Sequence, residues 1–540
     1  MKGKHIFSTI LLLLQSVFLF AQDKRPNIVL IMADDMGYAD IGCYGSEIHT
    51  PNIDGLAANG LRFRQFYNAA RCCPSRASLM TGLYPHQAGI GHMTNDPEDS
   101  TAFNYGVPAY QGSINNESVT IAEVLKSVGY NTLMTGKWHL GYHDPQKWPL
   151  QRGFDKYYGI LAGAANYFNP TGKRGLTYMN EPVSPEGEFY ITDAFTNYAI
   201  KFINENIQQK ERKPFFLYLA YTSPHWPLNA LDSDIAKYRD KYKNGWSALR
   251  RQRYERMKQL GVIKDDAGLS ADDGAEWEAL TPEQKDEMDY RMAIYAAQID
   301  RMDQNIGRVI QALKQAGELD NTLILFVSDN GACAEGGNLG GGKKELLGTH
   351  GGYFLSYGQS WANASVAPFK KYKHWVHEGG ISTPLIVHWP AKMPQNIRGG
   401  FTDQYGFFPD IMATCVKVSG ATYPRKFNGH SIIPLQGSSF LPVVLGKDRP
   451  VHKQPIFWEH EGNAAVRYGN MKLVKEYKPD HKSKWELYDM HKDRSELDDL
   501  SASMPKLVEK LSKDYDQWAK RVGVLPYDEV LEIRRARDKK

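Results

Sequence analysis

The sequence predicts an α/β protein. A large, mainly parallel sheet flanked by helices is followed by a smaller C-terminal α+β subdomain, a short antiparallel sheet plus a helix. Three observations carry this expectation. Four short apolar runs each end abruptly in polar residues, helical patterns lie between them, and beyond about residue 450 the pattern changes to short alternating segments. Strands alternating with helices build parallel sheets buried on both faces.

The four runs are "NIVLIMADDMG" (27–37), "NTLMTGKWHLG" (131–141), "PFFLYLAYTSPHWP" (214–227) and "NTLILFVSDNGA" (321–332). Continuous apolar runs of this length, rich in Ile, Leu, Val, Phe and Tyr, fit buried parallel strands. "SVTIAEVLKSVGY" (118–130) has helical spacing, with Ser118 or Thr120 as a start signal. "TPEQ" at 281 is a cap and first turn for a helix to 313, with Met288, Met292, Tyr295, Ile299, Met302, Ile306 and Val309 on one stripe. Core packing explains that stripe. In "RCCPSRASLMTG" (71–82), Pro74 suits a first helical turn and Gly82 a stop. Residues 454–477 and 485–490 read as three or four short antiparallel strands, and 504–522 as an amphipathic helix. The long Gly-rich stretch 333–372 reads as an active-site wall.

The expected division is therefore a leader at 1–21, an α/β unit over 22–450 and a C-terminal unit over 451–540. "MKGKHIFSTILLLLQSVFLFA" has the basic start, apolar stretch and small-residue end of a signal peptide. Its apolar run is short for a membrane span and contains Gln15, so no stable membrane anchor is expected and the protein is expected to be periplasmic or secreted. The 65 basic and 61 acidic residues nearly balance, and the tail "RRARDKK" alone carries five basic residues against one acid. That excludes the basic face of a nucleic-acid protein and leaves the tail as a solvated end. Five scattered cysteines, Cys43, Cys72, Cys73, Cys333 and Cys415, make no disulfide framework and no zinc spacing.

In a parallel sheet, ligands bind beyond the carboxyl ends of the strands. The polar clusters all follow the strands, so Asp34 and Asp35, Lys137 and His139, His225, and Asp329 and Asn330 should share one edge. Asp34, Asp35, Asp329 and Asn330 are hard oxygen donors suited to Ca²⁺ or Mg²⁺; one Ca²⁺ per chain is expected. Arg76, Lys137, His139 and His225 add positive and titratable groups, so a compact anion such as sulfate or phosphate should bind. Taken singly, an "SDNG" is also a common turn and each histidine also a common core residue. Convergence on one edge is what favours a site. Cys72 and Cys73 fall at a helix N-terminus, where free N–H groups favour anions. A reactive thiolate and a buried apolar pair both fit them from physics alone.

C-x-P-S-R followed by L-x-T-G resembles the signature of the type I sulfatases, in the alkaline phosphatase superfamily. The resemblance runs over roughly 25–525, through "NIVLIMADDMGYADIGCYG", "GKWHLG", "SPHWP", "SDNGA" and "FKKYKHWVHEGGISTPLIVHWP" (369–390). It implies that Cys72 is converted to Cα-formylglycine by a sulfatase-maturating enzyme, with Cys73 incidental. It also implies a metal held by Asp34, Asp35, Asp329, Asn330 and the modified residue 72. Counting back from Glu378 places the sulfate-binding lysine at Lys373, with Lys370 and Lys371 close by. The family mechanism implies attack on sulfur by one hydroxyl of the hydrated formylglycine, with Asp329 taking its proton. Lys137, Arg76 and Lys373 stabilise the sulfuryl oxygens, and His225, with Lys373, protonates the leaving oxygen. His139 then assists collapse of the sulfate hemiester.

The expected function is hydrolysis of organic sulfate esters, with a sulfated small molecule or sulfated glycan as substrate. A phosphodiesterase or phosphonate hydrolase on the same scaffold, and a non-catalytic glycan-binding relative, are the alternatives; the intact Cys72, Arg76, Lys137, His139 and His225 speak against the latter. Recognition of the organic part is expected from loops at 91–117, 228–280 and 333–372, with His92, Tyr105, Tyr110 and Trp361 as wall residues.

Overall fold

The computed structural model describes residues 25–95, 97–98, 103–479 and 482–538. The leader expected at 1–21 lies outside the described residues. One large sheet contains β1 (Asn27–Asp34), β2 (Leu61–Tyr67), β3 (Asn131–Lys137), β4 (Lys156–Ile160), β5 (Leu176–Tyr178), β6 (Glu181–Val183), β7 (Phe215–Pro224), β8 (Thr322–Ser328), β9 (Ser382–His388), β10 (Gly400–Thr402) and β11 (Gly406–Phe407). Its order is β10-β2-β9-β8-β1-β7-β3-β4-β5-β6, with β11 beside β2. The four motif-bearing strands are thus neighbours, β8-β1-β7-β3, and all pair in parallel. The sheet is mixed towards its edges. β9 runs antiparallel to both β8 and β2, and β5 and β6 extend the far edge antiparallel.

Burial on both faces explains why these strands read as unbroken apolar runs. Val29, Ile31 and Ala33 of β1 join one core cluster, with the long helix Pro282–Gln315 and the helix Ile191–Ile207. Ile28, Leu30 and Met32 point the other way, into a second cluster with Met80, Leu125 and Met412. The helix Ile121–Lys126 starts at Thr120, whose hydroxyl accepts from Glu123 N while the Glu123 carboxylate accepts from Thr120 N. Thr281 and Gln284 make the same reciprocal cap on the long helix.

A two-residue hairpin, β12 (Lys426–Phe427) with β13 (His430–Ser431), precedes the C-terminal sheet. That sheet is β14 (Ile456–His460), β15 (Asn463–Tyr468), β16 (Met471–Lys475) and β17 (Trp485–Asp489), antiparallel in chain order, with the helix Pro505–Val522 packed on it. Its apolar face is shared with Tyr67, Val376 and Ile381 of the large unit. A buried ion cluster ties the same seam: Lys472 Nζ lies 2.9 Å from both Glu378 and Glu496, and Arg494 Nη2 lies 3.0 Å from Glu378. Burial alone raises a carboxyl pKa, but Lys472, Arg494 and Arg467 hold Glu378 down to about 2.

Several expectations need correcting. The segment 228–280 is not all loop, because Gly245–Gln259 forms a helix. The tail is solvated as expected, with residues 534–536 exposed, but it is helical rather than irregular. Residues Tyr527–Asp538 form a helix whose Val530 packs on Tyr105, Ala109 and Tyr110. That contact buries Tyr105 and Tyr110, so neither serves as a pocket wall. His92 stacks on Tyr105 at 4.1 Å. Trp361 is fully buried against Trp246 and Trp277. Among the described residues, no helix is long and apolar enough to cross a membrane.

Candidate active site

The register of the central strands sets the site. Ala33 of β1 pairs with Ser328 of β8, so the next residues, Asp34 and Asp329, leave the sheet side by side. Asp329 N donates to Ala33 O, and Asp35 N donates to Asp329 Oδ1 at 3.1 Å. Asn330 Nδ2 donates to Asp35 Oδ1 at 2.6 Å. From β3, Lys137 reaches both oxygens of Asp34, at 3.0 and 2.7 Å. From the end of β7, His225 Nε2 sits 3.4 Å from Asp35 Oδ2. Asp35 (φ 65°) and His139 (φ 56°) occupy the left-handed backbone region, which costs about 1–3 kcal/mol for such residues and gathers at functional sites.

The helix Cys72–Thr81 points its N-terminus into this cluster. Cys72 Sγ lies 3.8 Å from Asp35 Oδ1, and Arg76, one turn on, donates to Asp329 Oδ2 at 3.0 and 2.8 Å. Cys73 turns away, its sulfur 3.6 Å from Met93 Sδ. Burial pushes the Cys72 thiol well up, and the nearby Lys137 and Lys373 ammoniums do not reverse this. Burial thus disfavours an unmodified thiolate here, whereas a helix N-terminus by itself would favour one.

Lys373 completes the ring, with Nζ 2.8 Å from Asp35 Oδ2. Its two neighbours face the C-terminal sheet, Lys370 towards Glu486 and Lys371 towards Glu476. Glycines make the crossing possible. A Cβ on Gly331 would lie 1.9 Å from Gly379 O, so only glycine lets the "SDNGA" and "EGG" segments touch. Lys373 is held well up by Asp35 against the effect of burial. Burial first, then Lys373 and Lys137, hold His225 well below the ordinary imidazole value. His139 is held down by burial, then Lys137 and Arg76, and its Nε2 faces Thr94 O at 3.2 Å.

All ten predicted site residues thus converge. The sequence reading missed Glu335, which lies 2.9 Å from Arg71, 3.7 Å from Lys373 and accepts from Trp226 Nε1 at 2.8 Å. A lone acid in a Gly-rich loop carries no spacing signal.

The donor set fits a divalent cation. Ligand atoms of Asp34, Asp35, Cys72 and His225 lie within 4.8 Å of one another. Asn330 Oδ1 is buried without a hydrogen-bond partner, and such an acceptor is costly unless something binds it. Burial and the Asp329 carboxylate raise Asp34 despite Lys137 and Arg76, the signature of acids crowded for want of positive charge. All three carboxylates already accept hydrogen bonds at both oxygens, Asp34 from Lys137, Asp35 from Asn330 and Lys373, and Asp329 from Asp35 N and Arg76.

Residues 26–416 match the Sulfatase family model. The chain belongs to the sulfatase family. It is a type I sulfatase of the alkaline phosphatase superfamily, and it hydrolyses sulfate esters. A second model, the C-terminal region of N-sulphoglucosamine sulphohydrolase, matches 369–521. This sulfatase is 37% identical to an arylsulfatase of Klebsiella aerogenes, over 79% of this chain and 94% of the relative. It is 35% identical to an uncharacterised sulfatase of Schizosaccharomyces pombe, over 95% and 97%. Among solved structures, Ps i-CgsB aligns with a TM-score of 0.67 at 30% identity, covering 92% of this chain and 93% of that one. A complex of Ps i-CgsB with k-i-k-neocarrahexaose aligns at 0.66 and 28%, over 92% and 93%.

Proposed function

We propose that the protein is exported and hydrolyses organic sulfate esters through a formylglycine at position 72 and a bound divalent cation, Ca²⁺. The observation that carries the formylglycine reading is the setting of Cys72. It is fully buried, 3.8 Å from Asp35 and ringed by Arg76, Lys137 and Lys373, in a setting where burial disfavours its own thiolate. Conversion to hydrated formylglycine supplies two geminal hydroxyls, one to attack sulfur and one to drive release of sulfate.

Asp34, Asp35, Asp329, Asn330 and residue 72 would hold the cation, which offsets the crowded carboxylates and polarises the sulfate ester. Asp329, whose Oδ1 accepts from Asp35 N at 3.1 Å, is cast as the acceptor of the proton of the attacking hydroxyl, as the resemblance implies. Arg76, Lys137 and Lys373 hold the sulfuryl oxygens in a dry site, where fixed charge acts strongly. His225, 3.4 Å from Asp35 Oδ2, protonates the leaving oxygen; Lys373, which meets the same carboxylate oxygen at 2.8 Å, assists. A dianionic transition state raises the pKa of both. His139 takes the proton of the second hydroxyl.

A maturating enzyme that recognises the Cys72 motif is a required partner. A sulfated glycan as substrate draws support from the relative solved with a neocarrahexaose. Export rests on residues 1–21 and is tested by sequencing the N-terminus of protein recovered from fractionated cells. The central test is mass spectrometry of the peptide containing position 72, alongside sulfate release. Fully active protein with an intact thiol at 72 refutes the mechanism. Faster hydrolysis of a matched phosphate ester or phosphonate than of the sulfate would return the phosphonate-hydrolase alternative.

A further inference from the structure

The pocket wall on the His225 side is aromatic and partly open. Trp226 follows His225 directly, is half-buried, and holds its ring 4.5 Å from the imidazole. Tyr353 and Phe354 stand edge-on to Trp226 at 5.0 and 5.1 Å. They are 37% and 38% exposed, the only consecutive pair among the exposed large apolar side chains of the described residues. Paired exposed aromatics beside a site point to a ligand that covers them.

This wall is fixed in place. Asn166 Nδ2 donates to His350 O at 3.1 Å and to Gly352 O at 3.2 Å. The Arg174 guanidinium lies 4.6 Å from the Tyr353 ring centroid. A binding surface that is already ordered loses little entropy when it is covered.

The edge of the wall is polar. Glu335 accepts from Trp226 Nε1 at 2.8 Å and from Arg71 Nη2 at 2.9 Å. A carboxylate has about four acceptor sites, so both oxygens retain capacity for a ligand's hydroxyl. An apolar face with a carboxylate and a guanidinium along its rim suits a ring that has C–H bonds on its face and hydroxyls around its edge. A plain aryl group would use the face only. A short acyclic alkyl group would cover little of the face and reach neither rim group.

We propose that Trp226, Tyr353 and Phe354, rimmed by Glu335 and Arg71, form the leaving-group subsite, and that its ligand is a pyranose ring bearing the sulfate ester. This rests on the reading that His225 stands on the leaving-group side of the pocket. It identifies the alcohol released as a sugar rather than a phenol.

The test uses the full chain with position 72 matured. The variant Tyr353→Ala/Phe354→Ala changes two partly exposed side chains of the wall. Its kcat/KM is measured on a panel of methyl pyranoside sulfates, on an acyclic alkyl sulfate and on nitrophenyl sulfate. Calorimetry follows binding of the same pyranoside sulfates to Cys72→Ala, with and without the double substitution. The expected result is that the loss on the preferred pyranoside sulfate exceeds the loss on the alkyl sulfate roughly ten-fold, chiefly through KM. Calorimetric binding should weaken in parallel. Equal losses on both substrates, no loss on either, or a loss largest on nitrophenyl sulfate would overturn the subsite. So would the absence of pyranoside sulfate binding to Cys72→Ala. Binding that depends on the aromatic pair, without turnover of any sulfate ester by matured protein, would keep the subsite and sink the proposed mechanism instead.

Discussion

Lys373 sets its ammonium 2.8 Å from Asp35 Oδ2, across a sequence separation of 338 residues. Lys371, two positions earlier, turns outward to Glu476 at 2.9 Å, and both members of that pair are partly exposed. The two lysines should therefore separate cleanly on substitution.

Lys373→Ala should lower kcat/KM by about 10²–10³-fold, the scale of one lost stabiliser of transition-state charge. Lys371→Ala should leave kcat/KM unchanged, because a partly exposed ion pair contributes at most about 1 kcal/mol to stability and nothing to the pocket. Steady-state kinetics on one sulfate ester decide it. Comparable losses would mean that the C-terminal contacts, rather than the charge at 373, govern activity.

His225 should matter according to the leaving group. An alkoxide must be protonated as the S–O bond breaks, whereas nitrophenolate leaves unaided. General-acid help contributes roughly 10²–10⁴-fold where it is needed. His225→Ala should thus damage a sugar sulfate far more than nitrophenyl sulfate. Arg76→Ala and Lys137→Ala, which touch groups common to both substrates, should damage the two alike. Losses of equal size for His225→Ala would recast it as a sulfate binder.

Metal removal gives a third check. Calcium analysis of the matured protein should return one ion per chain, and Asn330→Ala should lose it, since its unpartnered buried oxygen is the clearest vacant donor. Activity should return when Ca²⁺ is restored to chelated wild type and not when it is restored to the variant. Stoichiometric zinc, or full activity after chelation, contradicts the assignment.

Glu378 makes a prediction about pH. Its carboxyl is held at about 2 in the folded chain against an ordinary 4.5. A depressed carboxyl stabilises the fold above its unfolded value, and that contribution fades as pH falls from about 4.5 towards 2. Glu378→Gln leaves Lys472 underpaired in a buried seam, a loss of about 3–5 kcal/mol. Denaturant unfolding of wild type and variant should differ most near neutral pH and converge in acid. A difference that does not change with pH would remove Glu378 from this role.

The central sheet was legible because each motif-bearing strand is an apolar run that ends in its candidate site residues. Asp34, Lys137, His225 and Asp329 are therefore marked by the same abrupt change in polarity. The antiparallel strands around β9 were not, because "STPLIVH" looks like any other buried strand and its direction depends on β2, over 300 residues away. Thr120 and Thr281 announced their helices through capping chemistry, which is local. The wall was misassigned for the converse reason. Trp361 and Phe354 are both aromatics in one Gly-rich stretch, and only packing against Trp246 and Trp277 decides which is core. Glu335 became visible only when Lys373, Arg71 and Trp226 arrived from three other segments.

Cys72 exposes none of its surface in the folded chain. Any enzyme that oxidises it must reach it before the sheet closes around the helix Cys72–Thr81. Maturation and folding are then rivals in time, and the loser is settled for the lifetime of the molecule. If activity requires the proposed formylglycine, a chain that folds first keeps its thiol sealed behind Asp35 and Lys373 and stays inert however much maturating enzyme it later meets. On that mechanism the specific activity of a preparation would record the history of its synthesis, and slowing the fold in the presence of maturating enzyme should raise the active fraction.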